Sequence, residues 1–358
     1  MGLLTILLQA LIPAAMAAGA EAVPPQVPDT LTVAMTGDIM MGTTYPTVRL
    51  PANDGRDLFK DTAPILQAAT LAVGNLEGAI CDGGTCTKGG GANSYAFRTP
   101  TSYTHLLDDA GYDFVSMANN HSNDFGDTGI LSTEKCLESY GIAYSGLTGR
   151  REWTVVERGG VRWGLCAFGH NQKTLKHADL GKVEAILDTL KKHSDLIVVS
   201  FHGGAEGSDK GHLPNGQETC FGENRGELRK FAHFCIDHGA SVVYGHGPHV
   251  TRCVEVYKGR FIAYSLGNFC TPYGMGLSGT LGYAPVITVR VLSTTGEFVD
   301  GRIHPFIQRS GLGPRRDETG TVTRHIKALS DADVPASEAV VSEDGEISRL
   351  RPDGLRPE

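Results

Sequence analysis

The chain has 358 residues, 41% hydrophobic and 20% charged, which is a globular composition large enough for one substantial core. A net charge of -8 and a pI near 5.9, with no run of lysine or arginine, leave no basic surplus to neutralise phosphates along a nucleic acid. Nucleic-acid binding is therefore excluded as an expectation.

Residues 3–20 form an apolar run that ends in the small residues Ala18, Gly19 and Ala20, the pattern of a signal peptide or a retained anchor, although no positive residue precedes it. An extracytoplasmic location follows as an expectation, with residues 21–30 as a linker and 31–314 as one folded domain. From Leu31 onward, short apolar runs ending in glycine or polar residues alternate with helical patterns. Strands are expected at 31–36, 70–74, 114–118, 196–201, 241–245 and 261–265, and helices at 100–110, 126–140, 182–193 and 226–238. Further strand-like runs at 154–157, 162–168, 253–257 and 285–292 call for a second sheet. The glycine-rich stretch 82–95 and the polar stretch 202–225 are long loops directly after strands, the kind that compact domains keep for function. Beyond residue 314 the pattern dissolves into charged and proline-containing sequence, so 315–358 is expected to be a poorly ordered tail. Eight cysteines suit an oxidising compartment, and Cys81 and Cys86, enclosing four residues, are expected to bridge.

The chemistry is concentrated at strand ends. Asp38 follows the first strand, Asn75 and Glu77 the second, Asn119, Asn120 and His121 the third, His202 the fourth, and His246 and His249 the fifth. In an α/β sheet the carboxyl ends of the strands converge on one edge, where ligands bind. Each placement alone has a plain structural explanation in a cap, a turn or a core histidine; five together point to one shared site. Imidazole nitrogens mixed with carboxylate and amide oxygens suit zinc, manganese or iron better than calcium, and two such ions could activate a water and polarise a phosphoryl or carbonyl oxygen.

The segments Gly37-Asp38-Ile39-Met40-Met41-Gly42, Gly74-Asn75-Leu76-Glu77, Ala118-Asn119-Asn120-His121 with Asp124, Phe201-His202-Gly203-Gly204 with Glu206, Gly245-His246-Gly247-Pro248-His249-Val250 and Tyr264-Ser265-Leu266-Gly267-Asn268-Phe269 resemble, in order, the motifs of the CapA (PgsA) family of poly-γ-glutamate capsule synthesis. That family is similar to the calcineurin-like metallophosphoesterases. The resemblance therefore implies a four-layered α/β/β/α sandwich and a centre of one or two divalent ions. By that analogy Asp38 and His249 hold one ion, Asn120, His202 and His246 the other, and Glu77 stands where an aspartate usually bridges. His121 is placed beside the leaving group as a proton donor. Arg98, before Pro100, matches an arginine that would clamp a phosphate or carboxylate, and Glu206 would accept a proton or orient His202.

Three departures stand out: Met40 replaces the histidine two places after Asp38, Glu77 is one methylene longer than aspartate, and Gly203 replaces a tryptophan. The resemblance implies an anionic polymer as substrate and a membrane capsule-synthesis complex as partner. Two other readings stay open, a phosphate-ester hydrolase unrelated to capsule and a non-catalytic scaffold.

Overall fold

The computed structural model describes residues 27–89 and 95–350; the apolar run at 3–20 lies outside the described residues. Two large sheets lie face to face. In the first, the strands Thr30–Ile39, Leu71–Leu76, Phe114–Ser116 and Ala143–Ser145 run parallel in that order. On the other side of Thr30–Ile39 the sheet continues antiparallel through Val286–Leu292, Phe298–His304, Glu346–Arg349 and Ala339–Val341. The second sheet has the order Val254–Tyr257, Arg260–Ala263, Val242–His246, Leu196–His202, Val161–Phe168 and Trp153–Arg158. Its four inner strands are parallel and both of its edges antiparallel.

The alternation of side chains along each strand assigns the layers. Val33, Met35, Leu71 and Val73 of the first sheet meet Leu165, Val198, Val242 and Tyr244 of the second in a shared apolar core. The intervening residues Ala34 and Ala72 face outward onto the helices Ala63–Ala68, His105–Ala110 and Gly126–Ser139. On the opposite side, Cys166, Ile197, Val199 and Val243 face the helices Leu180–His193 and Leu228–Asp237. This is the four-layered α/β/β/α sandwich expected. The helix Leu180–His193 shows why such segments fold as they do: Val183, Ile186, Leu187 and Leu190 fall on one buried stripe. Asp179 caps the first turn by accepting from the Lys182 N–H at 3.1 Å, and Lys191, Lys192 and His193 stand at the negative end of the helix dipole.

Two expectations are corrected. Residues 315–350 are folded: Gly313–Arg316 pairs with Phe306–Arg309, Thr321–Asp333 is a helix, and Glu346–Arg349 joins the first sheet. Val322, Ile326, Val341 and Ile347 enter the core between the sheets, while Asp317 caps the helix by accepting from the Val322 N–H at 2.9 Å. The charges that suggest a tail occupy the outer face of that helix and the turns. Cys81 and Cys86 are free thiols rather than a bridge. Cys81 is buried with Ala79, Ala96 and Phe125, where desolvation raises its thiol pKa, and Cys86 packs at the edge of that cluster with its Sγ 3.8 Å from the Lys88 carbonyl.

Candidate metal centre

The two sheets bring their strand ends to one place. Asp38 is level with Asn75 in the neighbouring strand, and His246 is level with His202 in the other sheet. Beneath them the Tyr244 hydroxyl donates across to the Gly74 carbonyl at 3.1 Å, tying the sheets together. Two glycines make the approach possible. A side chain at Gly37 would strike the Gly267 carbonyl at 1.9 Å, and one at Gly247, where φ is +119, would meet the Gly203 carbonyl at 2.6 Å.

Asp38, Glu77, His202 and His246 are all buried, and each offers one ligand atom within 4.8 Å of the others. The Nδ1 atoms of His202 and His246 are 3.0 Å apart, Glu77 Oε2 is 3.6 Å from His202 Nδ1, and Asp38 Oδ1 is 3.9 Å from His246 Nδ1. Amides fix the carboxylates: Asn75 Nδ2 donates to Asp38 Oδ1 at 2.8 Å and to Glu77 Oε2, and its own Oδ1 accepts from Asn119 Nδ2 at 2.9 Å. Ser200 Oγ, 2.9 Å from His246 Nε2, sets that ring from behind. His249, held at a left-handed φ of 60°, brings Nδ1 to 3.0 Å from both Asp38 Oδ2 and Asn268 Oδ1.

The fit to a metal rests on the donor set and on the atoms left over. Glu77 Oε1 and Asn120 Oδ1 are buried without a hydrogen-bond partner, which is costly unless something takes their lone pairs. Ligands of one ion at roughly 2.0–2.2 Å can be up to about twice that apart, and the separations of 3.0, 3.6 and 3.9 Å fall inside that limit. The electrostatics agree. Burial, with the Asp38 charge adding to it, pushes the Glu77 carboxyl well above its usual range. Burial also lowers His202 strongly and takes His246 down to about 4, so both imidazoles are neutral and able to donate lone pairs. Burial works against protonation of His249 as well, but its bond to Asp38 and the charges of Asp38, Glu77 and Glu206 outweigh that and carry it up to about 9.

His121 sits beside the cluster, not in it. Its Nδ1 is 2.9 Å from both Asp124 Oδ2 and Lys88 Nζ, its ring lies 4.4 Å from that of Phe97, and its Nε2 is 3.9 Å from Glu77 Oε1. Burial lowers its pKa, and Asp124 opposes the shift. A cavity of about 780 Å³ opens over the cluster, with Asn120, His121, Glu206, Arg225, His249 and Asn268 in its wall. Glu206 is engaged by Arg225 Nη1 at 2.7 Å and lies 3.8 Å from His249 Nε2; it orients His249 and Arg225 instead of His202. Arg98 does not line the cavity. Its guanidinium donates to Thr44 Oγ1 at 2.9 Å and lies over the Tyr45 and Phe125 rings, a structural position. Sequence reasoning missed Lys88 and Arg225, whose cationic side chains do line it.

The profile of the bacterial capsule synthesis protein PGA_cap family matches residues 32–273. The chain is 28% identical over 262 residues to the PGA biosynthesis protein CapA of Bacillus subtilis, covering 69% of this chain and 64% of that protein. It is 26% identical over 263 residues to the capsule biosynthesis protein CapA of Bacillus anthracis, covering 68% and 60%. It thus spans less than two thirds of either relative. Among solved structures, a novel phosphatase from Mycoplasma pneumoniae superposes with a TM-score of 0.51 at 14% identity, over 83% of this chain and 96% of that one, a likeness of fold. The chain belongs to the PGA_cap family.

Proposed function

We propose that this member of the PGA_cap family is an extracytoplasmic, metal-dependent enzyme that cuts or transfers an anionic capsule or envelope polymer of the poly-γ-glutamate type, working beside a membrane capsule-synthesis complex. The observation that carries the reading is the buried cluster Asp38, Glu77, His202 and His246, with Glu77 Oε1 left without a hydrogen-bond partner in it. These six groups, taking the Asn120 amide and His249 with the cluster, would hold one or two divalent ions of the zinc, manganese or iron type. Bound there, the metal would supply polarisation of the scissile carbonyl or phosphoryl group and a water of lowered pKa.

The protein's own groups do the rest. Asp38 and Glu77 are locked by Asn75, so the donor set is preorganised rather than assembled on binding. His121, oriented by Asp124 at 2.9 Å and facing the cavity, delivers a proton to the leaving group. His249, fixed by Asp38 Oδ2 and Asn268 Oδ1 at 3.0 Å each, stands at the mouth of the cluster, where it would join the donors in its neutral form.

A second reading, a capsule-assembly scaffold without turnover, has one observation in its favour. Met40, fully buried, stands where a further imidazole would complete the donors around Asp38. Elemental analysis of the purified full chain, with assays on a phosphate diester and on γ-linked oligoglutamate, separates the two. Stoichiometric metal and cleavage of either substrate are expected; a metal-free protein that turns over neither would establish the scaffold.

A further inference from the structure

We infer that the hairpin Glu218–Gly226 is a substrate-positioning arm that holds an extended polyanionic chain over the cluster, its carbon skeleton on Phe221 and its acidic groups on Arg225 and Lys88. This rests on the reading that the cavity above the cluster receives substrate. The strands Glu218–Cys220 and Glu223–Gly226 pair antiparallel around a two-residue tip, Phe221 and Gly222, with φ of 51° and 78°. Such a tip suits Asn-Gly; a phenylalanine there is strained. Phe221 is also 75% exposed, so neither backbone comfort nor burial accounts for it, yet its ring lies in the cavity wall. Strain kept at an exposed aromatic on a cavity rim points to what the ring holds.

The base of the hairpin is rigid. Arg252, fully buried, donates to both carboxylate oxygens of Glu218 at 2.8 and 2.7 Å, and Glu218 Oε2 also accepts from the Ala205 N–H at 2.9 Å. The Arg225 carbonyl accepts from Gly204 at 2.8 Å, and Gly226 backs so closely onto His177 that a side chain would lie 2.6 Å from the ring. The arm therefore presents Arg225 at a fixed place.

Arg225 is 3% exposed, yet its Nε makes no hydrogen bond: Glu223 Oε2 is 3.1 Å away but off line. Glu223 is half exposed and can swing away, leaving the guanidinium to a ligand carboxylate or phosphate. Lys88 and the exposed ring of Tyr95, both from the glycine-rich loop, stand in the same wall. Cations near the base and rings at the rim match a chain whose acidic groups are separated by methylenes, and a cavity of this size exceeds what a lone phosphate needs.

The test is calorimetric titration of the full chain with a γ-linked glutamate octamer and, in parallel, inorganic polyphosphate of similar length, with metal content measured on each sample. Phe221→Gly relieves the strained tip, so the melting temperature should hold or rise while octamer affinity falls about tenfold, and Phe221→Tyr should restore it. Glu223→Gln should tighten the octamer. Polyphosphate, with no carbon skeleton, should bind more weakly and ignore Phe221. Unchanged octamer binding by Phe221→Gly, or polyphosphate binding as tight as octamer, would overturn the arm. A wild-type protein that holds metal and cleaves a phosphate diester but binds no octamer sinks the arm and spares the hydrolase reading. Octamer binding through Phe221 in a protein without metal does the reverse.

Discussion

The floor of the cavity and its rim are built on opposite principles. The floor, beneath the residues that line the cavity, is made of strand ends: Asp38, His202 and His246 are fully buried, each held by a neighbour's side chain, and their positions follow from sheet register. The rim is made of a hairpin and a loop from separate parts of the chain, with Phe221 and Tyr95 exposed on it and Arg225 and Lys88 drawn from the same two segments. The difference teaches that the candidate donor set is fixed by the fold itself, whereas the groups around the opening stand on segments that can change without disturbing it.

If that division is right, damage should sort by region. The largest effect is expected at the floor: His202→Ala or His246→Ala should strip the metal and take activity to background together, as elemental analysis and turnover would show. Retained metal in either variant would remove that histidine from the donor set. Next comes His121→Ala, which borders both regions. Metal should stay, and the rate should fall roughly 10²- to 10⁴-fold, the contribution of a positioned general acid. Loss of metal instead would make His121 a ligand.

At the root of the arm, Arg252→Met leaves the buried Glu218 carboxylate with the Ala205 N–H but without its ion-pair partner, and should cost about 3–5 kcal/mol in urea unfolding. The double variant with Glu218→Leu should recover much of it. A smaller, graded effect is expected with pH. Burial pushes His177 to about 3 and His304 to about 4, against about 6.5 in an unfolded chain. Between pH 6.5 and 4 the unfolded chain takes up protons that the fold refuses, so stability falls as pH falls through that window. His249, raised to about 9, is charged in both states below pH 6.5, so its stabilisation is already complete there and lapses only as pH climbs through 9. Chelator-treated protein should show a lower urea midpoint at pH 5 than at pH 7, and His304→Gln should lessen the difference.

The same division explains what could be read from the sequence. The inner strands of both sheets are apolar on both faces, so Leu196–His202 and Val242–His246 declare themselves as unbroken runs, and the ligands stand where the runs stop. Phe298–His304 and Glu346–Arg349 lie toward the outer flank of the first sheet and carry Asp300, Arg302 and Glu346 on their solvent side, which hides the strand pattern. The hairpin tip gave no turn signal because its first residue is phenylalanine. Arg225 was overlooked within a polar loop, while Arg98, flagged by its place before a proline, is committed to Thr44 and two rings.

The antiparallel pairing of Thr30–Ile39 with Val286–Leu292 has a kinetic consequence. The central strand of the first sheet, which carries Asp38 next to its last residue, finds one of its two long partners only after more than two hundred intervening residues have been laid down. Closing a loop of that length is slow, and until it closes the strand keeps an open edge able to pair with another chain. A nascent chain therefore has every reason to stay unfolded, or to be kept so by a holdase, until residue 292 is available. Refolding from urea should accordingly be slow and dependent on protein concentration long before any metal is added.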